Sequence, residues 1–176
     1  MIEALTRRIV LFIETHNDRK HVSSAVMVFA LQSLLTNVLT IVFSLLIAAF
    51  LGTLKETALA LFAVAVLRNL TGGLHFKSAT VCVVVSTLVV VLIPFIPIDR
   101  MTGLVLTVAS VLLVFFFAPS DLKGRTRISD RGLQIMKIAG LLLVCSNLAF
   151  QSSLLALSFF SVGLTLIPWK GGTKHA

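Results

Sequence analysis

An all-α bundle set in a membrane is the fold class this 176-residue sequence predicts, and three observations predict it. Hydrophobic residues make up 57% of the chain and charged residues only 12%, against about 45–50% and about 25% in soluble domains. Mean hydropathy is +1.05. The apolar residues gather in runs near spanning length, with most of the charges in short segments between them, as expected where each helix needs about 20 residues to cross the hydrocarbon. We expect one membrane domain over 1–176, with an amphipathic segment over 1–21, a polytopic bundle over 22–169 and a polar tail over 170–176.

Taken in order, residues 1–21 carry Leu5, Ile9, Phe12 and Ile13 at helical spacing among Arg7, Arg8, Glu14, Asp18, Arg19 and Lys20. That spacing predicts an amphipathic helix lying on the membrane surface. The same residues lack the basic start, apolar core and small-residue cleavage site of a signal peptide, so insertion is expected to rely on the internal helices. The run over 22–51 is interrupted by Gln32, Ser33, Thr36 and Asn37 and is too long for one simple span. One long tilted helix accounts for it better than an interfacial segment followed by a span. The run over 57–67 is half the required length when Arg68 arrives. Either Arg68 snorkels to the interface or the helix continues past it. Segments 81–98, 101–118, 133–150 and 154–169 bring the expectation to about six transmembrane or re-entrant helices. Pro94, Pro97, Pro119 and Pro168 lie near segment ends, where a missing amide costs little.

The net charge of +8 raises the question of nucleic acid, but no basic face with interleaved aromatics exists and none is expected to bind. Topology explains the charge better. With six spans, one side carries twelve basic residues: Arg7, Arg8, Arg19, Lys20, Arg68, Lys77, Lys123, Arg125, Arg127, Arg131, Lys170 and Lys174. The other carries two, Lys55 and Arg100, each beside an acid. This places both termini, and the stretch around residue 75, at the cytoplasmic face.

That stretch, residues 68–82, is where chemistry is expected. It reads Arg68, Asn69, Leu70, Thr71, Gly72, Gly73, Leu74, His75 and, seven residues on, Cys82. A thiolate is the nucleophile of cysteine chemistry, and a nearby imidazole can generate it and protonate a leaving amine. A continuous helix from His75 to Cys82 would separate them by about 10.5 Å along its axis, too far for a hydrogen bond of about 3 Å. The motif therefore requires a turn, which Gly72 and Gly73 permit, and Cys82 is expected at or near a helix N-terminus, where the amides favour an anion. Arg68 is a candidate either for the oxyanion of a tetrahedral intermediate or for a substrate carboxylate. Asn69 precedes the glycines and is no evident orienter of His75, so a dyad is expected, with any third member supplied by backbone. Cys145, in an apolar run, reads as a buried small residue. The two cysteines form no spaced framework, and neither a disulfide nor a metal site is expected; the chemistry calls for no cofactor.

The pattern of an Arg, several residues, a Gly or Gly-Gly, one residue, His, six residues and Cys resembles the accessory gene regulator B family of integral membrane cysteine endopeptidases. Here it reads Arg68, Gly72, Gly73, His75 and Cys82. The stretch Phe29-Ala30-Leu31-Gln32 is similar to the family's first-helix segment. Phe117-Ala118-Pro119 followed by Lys123, Arg125 and Arg127 is similar to its Ala-Pro boundary and basic loop. The resemblance implies cleavage of a short quorum-sensing pro-peptide of the AgrD type, through a thioester on Cys82 with His75 as base and then acid. A peptide thiol or hydroxyl then closes a thiolactone or lactone. It implies Arg68 and Gly73 as supporting positions, and Gln32, Lys123, Arg125 and Arg127 as substrate contacts, the basic loop suiting an acidic peptide tail. The lipid bilayer is a further partner, and a homodimer is expected from the resemblance alone. The rival expectation is a small membrane transporter or receptor that binds a peptide without covalent chemistry. An intramembrane protease is disfavoured, because its catalytic groups would lie at bilayer depth.

Overall fold

The computed structural model describes residues 2–16, 24–73, 78–120 and 129–167. These form helices α1 (Ile2–His16), α2 (Ser24–Leu51), α3 (Leu54–Thr71), α4 (Ala79–Leu92), α5 (Arg100–Phe117), α6 (Asp130–Phe150) and α7 (Ser153–Leu166), with a 3-10 turn Ile93–Phe95 after α4. The described residues contain no strand, only a lone bridge between Gly72 and Ser120. α2, α5 and α6 are long and apolar enough to cross a membrane.

The apolar run over 22–51 becomes one helix from Ser24, and at 28 residues its length of about 42 Å exceeds the hydrocarbon thickness of about 30 Å. The short run over 57–67 is longer than its apolar core suggests. α3 begins at Leu54, ahead of Lys55 and Glu56, and continues past Arg68 to Thr71, so the helix running on is the alternative realised. The segment over 81–98 divides: α4 stops at Leu92, and Pro94 lies in the 3-10 turn that follows, because proline removes an amide and clashes with the preceding turn. α7 ends at Leu166, with Ile167 extended as the residue before a proline prefers.

The packing is that of a membrane bundle. Small residues dominate the interior: Ala48, Ala60, Ala63, Ala156, Ser44, Thr57, Ser110 and Ser158 are buried, while Phe50 is 90% exposed and Phe62, Phe116 and Leu142 are about two-thirds exposed. Lipid accepts large apolar side chains, and close helix contact needs small ones. Several of the buried hydroxyls bond within their own helices: Thr107 donates to the Gly103 carbonyl, Ser110 to Leu106 and Ser158 to Leu154, whereas those of Ser44 and Thr87 are buried without a partner among the described residues. Gly163 lets α7 approach α5 so closely that a Cβ there would lie 3.0 Å from Leu113. The main cluster joins Ala63 and Leu67 of α3, Val114 of α5, Val144 of α6 and Phe159, Val162 and Leu166 of α7. α4 packs chiefly on α2.

α1 presents Thr6 and Val10 to the bundle and leaves Leu5, Phe12 and Ile13 exposed beside Arg7, Arg8 and Glu14. This matches the expected amphipathic helix, with one apolar strip against protein and the next open. Lys137, a basic residue inside α6, places its Nζ 5.3 Å from the centre of the Phe115 ring, where the ring face attracts a cation.

Candidate functional site

Arg68 occupies the last turn of α3 and Cys82 the first turn of α4. The Gly72-Gly73 pair lies between them, and the guanidinium lies within electrostatic reach of the Cys82 sulfur. Arg68 is half-buried and Cys82 is 6% exposed. A charge beside a thiol in so apolar a setting acts more strongly than it would in water.

The turn is built by the two glycines. Gly72 adopts φ 76° and ψ −152° as the C-cap of α3, with its amide donating to the Arg68 carbonyl at 2.9 Å. Gly73 follows at φ 145°. Both conformations strongly favour glycine. Gly73 is also held by its surroundings, since a Cβ there would lie 2.6 Å from the Thr165 Oγ1 of α7. Thr71, buried, donates its hydroxyl to the Leu67 carbonyl. Asn69 is exposed and donates its side-chain amide to Ala65 of its own helix, so it turns back along α3.

Two contacts from distant parts of the chain meet at this end. The Ser120 amide donates to the Thr71 carbonyl at 3.0 Å, alongside the Gly72–Ser120 bridge, and so pins the start of the basic segment to the Gly-Gly turn. Residues 74–77 and 121–128 are outside the described residues, and the expectations for His75, Lys123, Arg125 and Arg127 fall there. At the other side, Glu3 of α1 accepts a hydrogen bond through Oε1 from the Ala79 amide at 3.3 Å. Ser78, the N-cap of α4, makes no side-chain cap of its own.

The helix beginning at Ala79 agrees with the geometric requirement for a break before it, and Cys82 does lie in the first turn. Its own amide is committed to the Ser78 carbonyl at 3.1 Å. Gln32 lies eight residues into α2, half-buried, with its carbonyl accepting from Thr36 at 2.7 Å. Cys145 is a free thiol in α6, half-buried rather than fully buried. Sequence reasoning missed Glu3, Ser120 and Thr165. Glu3 looks like any acid in the first turn of a helix, and no local signal marks a contact 76 residues away.

Comparison with known proteins covers almost the whole chain. A family model described as Accessory gene regulator B matches residues 6–170. A Clostridium perfringens (strain SM101 / Type A) protein described as AgrB-like is 22% identical over 178 residues, covering 95% of this chain and 83% of that protein. No solved structure matches the chain.

Proposed function

The chain belongs to the accessory gene regulator B family, and from that premise we propose that it is a membrane cysteine endopeptidase. Membership places it in the accessory gene regulator quorum-sensing system, with an AgrD-type pro-peptide as partner. In our reading Cys82 attacks a peptide carbonyl carbon and the C–N bond breaks. His75 takes the thiol proton and passes it to the leaving amine. A side-chain thiol or hydroxyl of the peptide then attacks the thioester, yields its proton to His75 and closes a ring, and the Cys82 thiol is regenerated.

The observation that carries this reading is the placement of Arg68 in the last turn of α3 and Cys82 in the first turn of α4, on either side of the Gly-Gly turn, with the charge near enough to act on the sulfur. A tetrahedral intermediate needs donors aimed at its oxyanion. The Cys82 amide is engaged by Ser78 and the Ala79 amide by Glu3, while the Arg68 guanidinium brings a full positive charge to this end of the molecule. The same charge attracts a thiolate, so one residue supports both nucleophile and intermediate. Burial of Cys82 favours cyclisation over hydrolysis, because it limits access of water to the acyl-enzyme.

Substrate contacts follow the same end of the molecule. Ser120, tied to Thr71, directly precedes in sequence the basic segment of Lys123, Arg125 and Arg127, whose charge suits an acidic peptide tail. Gln32 is a further contact. The twelve-to-two distribution of basic residues supports a cytoplasmic location for this end and for both termini.

The test is mass spectrometry of the small peptide encoded beside the gene, co-expressed with wild type, Cys82→Ala or His75→Ala. Shortened peptide with wild type alone is the expected result, with a further loss of one water if the ring closes. Unchanged processing by Cys82→Ala would sink the peptidase reading.

A further inference from the structure

We infer that Glu3 is a positioning residue for the Cys82 helix, so that seating of the amphipathic helix α1 and competence of the thiol are coupled; this rests on the reading of Cys82 as nucleophile. A helix begins with amides that have no intrahelical partner. At α4 these are the amides of Ala79, Thr80 and Val81, since that of Cys82 already bonds to Ser78. The residue in the N-cap position is a serine, a side chain well suited to capping, yet it makes no cap. The Ala79 amide is instead engaged by the Glu3 carboxylate, 76 residues away in sequence.

Three other helices of the bundle are capped locally, whereas Thr53 at the start of α3 makes no side-chain cap. Asp99 caps α5, Ser129 caps α6 and Ser152 caps α7, each accepting from an amide two or three residues on. Only at the helix that carries Cys82, among these, does the cap come from another element. α1 is also the element whose Leu5, Phe12 and Ile13 remain exposed, which suits partition into a lipid surface. Lifting α1 away would therefore free the first turn of α4, three residues before Cys82. Seating α1 fixes that turn and the sulfur with it.

An N-cap shifts the equilibrium it acts on by a factor of roughly two to thirty. The experiment uses the full chain in vesicles with Cys145→Ser, so that Cys82 is the single reactive thiol. Two quantities are read, alkylation of Cys82 by N-ethylmaleimide and shortening of the co-expressed pro-peptide. Glu3→Ala is expected to speed alkylation by about three- to thirty-fold through local opening and to slow peptide shortening by a similar factor. Glu3→Gln, which keeps the accepting oxygen, is expected to stay within about two-fold of the parent. Ser78→Asp added to Glu3→Ala supplies a local cap and is expected to restore both rates. A purely packing role for α1 would not respond to Ser78→Asp. Parent-like alkylation in Glu3→Ala overturns the inference, as does failure of Ser78→Asp to restore it. Altered alkylation together with undiminished peptide shortening in Cys82→Ala would instead keep the coupling and overturn the peptidase reading.

Discussion

The two ends of the bundle are closed by different means. At the end opposite Cys82, neighbours in sequence do most of the work, beside two longer ties, from Asn147 to Thr107 and from the Ser153 hydroxyl to the Ile98 carbonyl. Asp99 accepts from the amides of Met101 and Thr102 and from the Thr102 hydroxyl. Asn147 spans the turn between α6 and α7, donating to the Ser152 carbonyl at 3.2 Å and accepting from its amide at 3.0 Å. It also donates to the Thr107 hydroxyl of α5 at 2.9 Å. At the Cys82 end the ties come from far away: Glu3 reaches α4, Ser120 reaches Thr71, and Thr165 presses on Gly73. Closure built mainly on caps and short turns needs no substrate. Distant closure makes an end where several elements must be in place together, which suits a site that forms around a peptide.

The largest effect expected from a single change that spares the nucleophile is at Arg68. Arg68→Gln removes the charge facing Cys82 and is expected to slow peptide cleavage by about 10²–10³, the cost of one oxyanion donor. Arg68→Lys should recover part of that, because charge is kept while the planar fork is lost. Single-turnover cleavage in vesicles at saturating peptide checks it. If Arg68→Gln weakened peptide binding alone and left the saturated rate unchanged, Arg68 would hold a substrate carboxylate and the oxyanion role would fall.

Gly73→Ala follows. The φ of 145° is strained for alanine, and the new Cβ would approach the Thr165 Oγ1 at 2.6 Å. A cost of about 1–3 kcal/mol is expected, read as a lower unfolding midpoint in detergent. Thr165→Ala should restore part of it by removing the hydroxyl, and the backbone strain should remain. Full restoration would mean that contact, not conformation, requires the glycine.

These two ends also divide what the sequence makes legible. Helix number and order could be read from the apolar runs, and the break before Cys82 from Gly72, Gly73 and the spacing to His75. The extent of α3 was harder, since Lys55, Glu56 and Arg68 lower its apolarity at both ends although each can reach an interface. Asp99 and Ser152 stand where local caps belong. Glu3, Ser120 and Thr165 could not be found that way. Each contributes one contact set by tertiary packing, and the residue types are ordinary for their own elements. Pairing across 76 residues leaves no periodic signal.

At the far end the comparison is sharpened by Asn147→Leu. The side chain is 2% exposed and completes three hydrogen bonds. Leucine fits the space approximately but orphans the Ser152 amide and carbonyl, at about 1–3 kcal/mol. Thermal unfolding in detergent should show the loss. Cleavage rate per folded molecule should stay at wild-type level, because this turn is at the opposite end from Cys82. A matching fall in rate would mean the two ends are not separable.

The smallest effect is expected at Asp99, where hydrogen bonds from the Thr102 side chain and backbone hold the carboxyl below its ordinary value. A carboxyl whose pKa is lower when folded binds fewer protons in that state than in the unfolded chain. Its contribution to stability is thus present above the unfolded value of about 4 and disappears as pH falls through the lower folded one. Asp99→Asn keeps a capping oxygen and removes the titration. Unfolding midpoints of variant and wild type should therefore differ slightly at neutral pH and converge in acid. The exposed position of Asp99 means that salt should also shrink the difference. A gap that widened in acid would assign the pH dependence of this end to a different group, and the local cap would then owe its strength to geometry rather than charge.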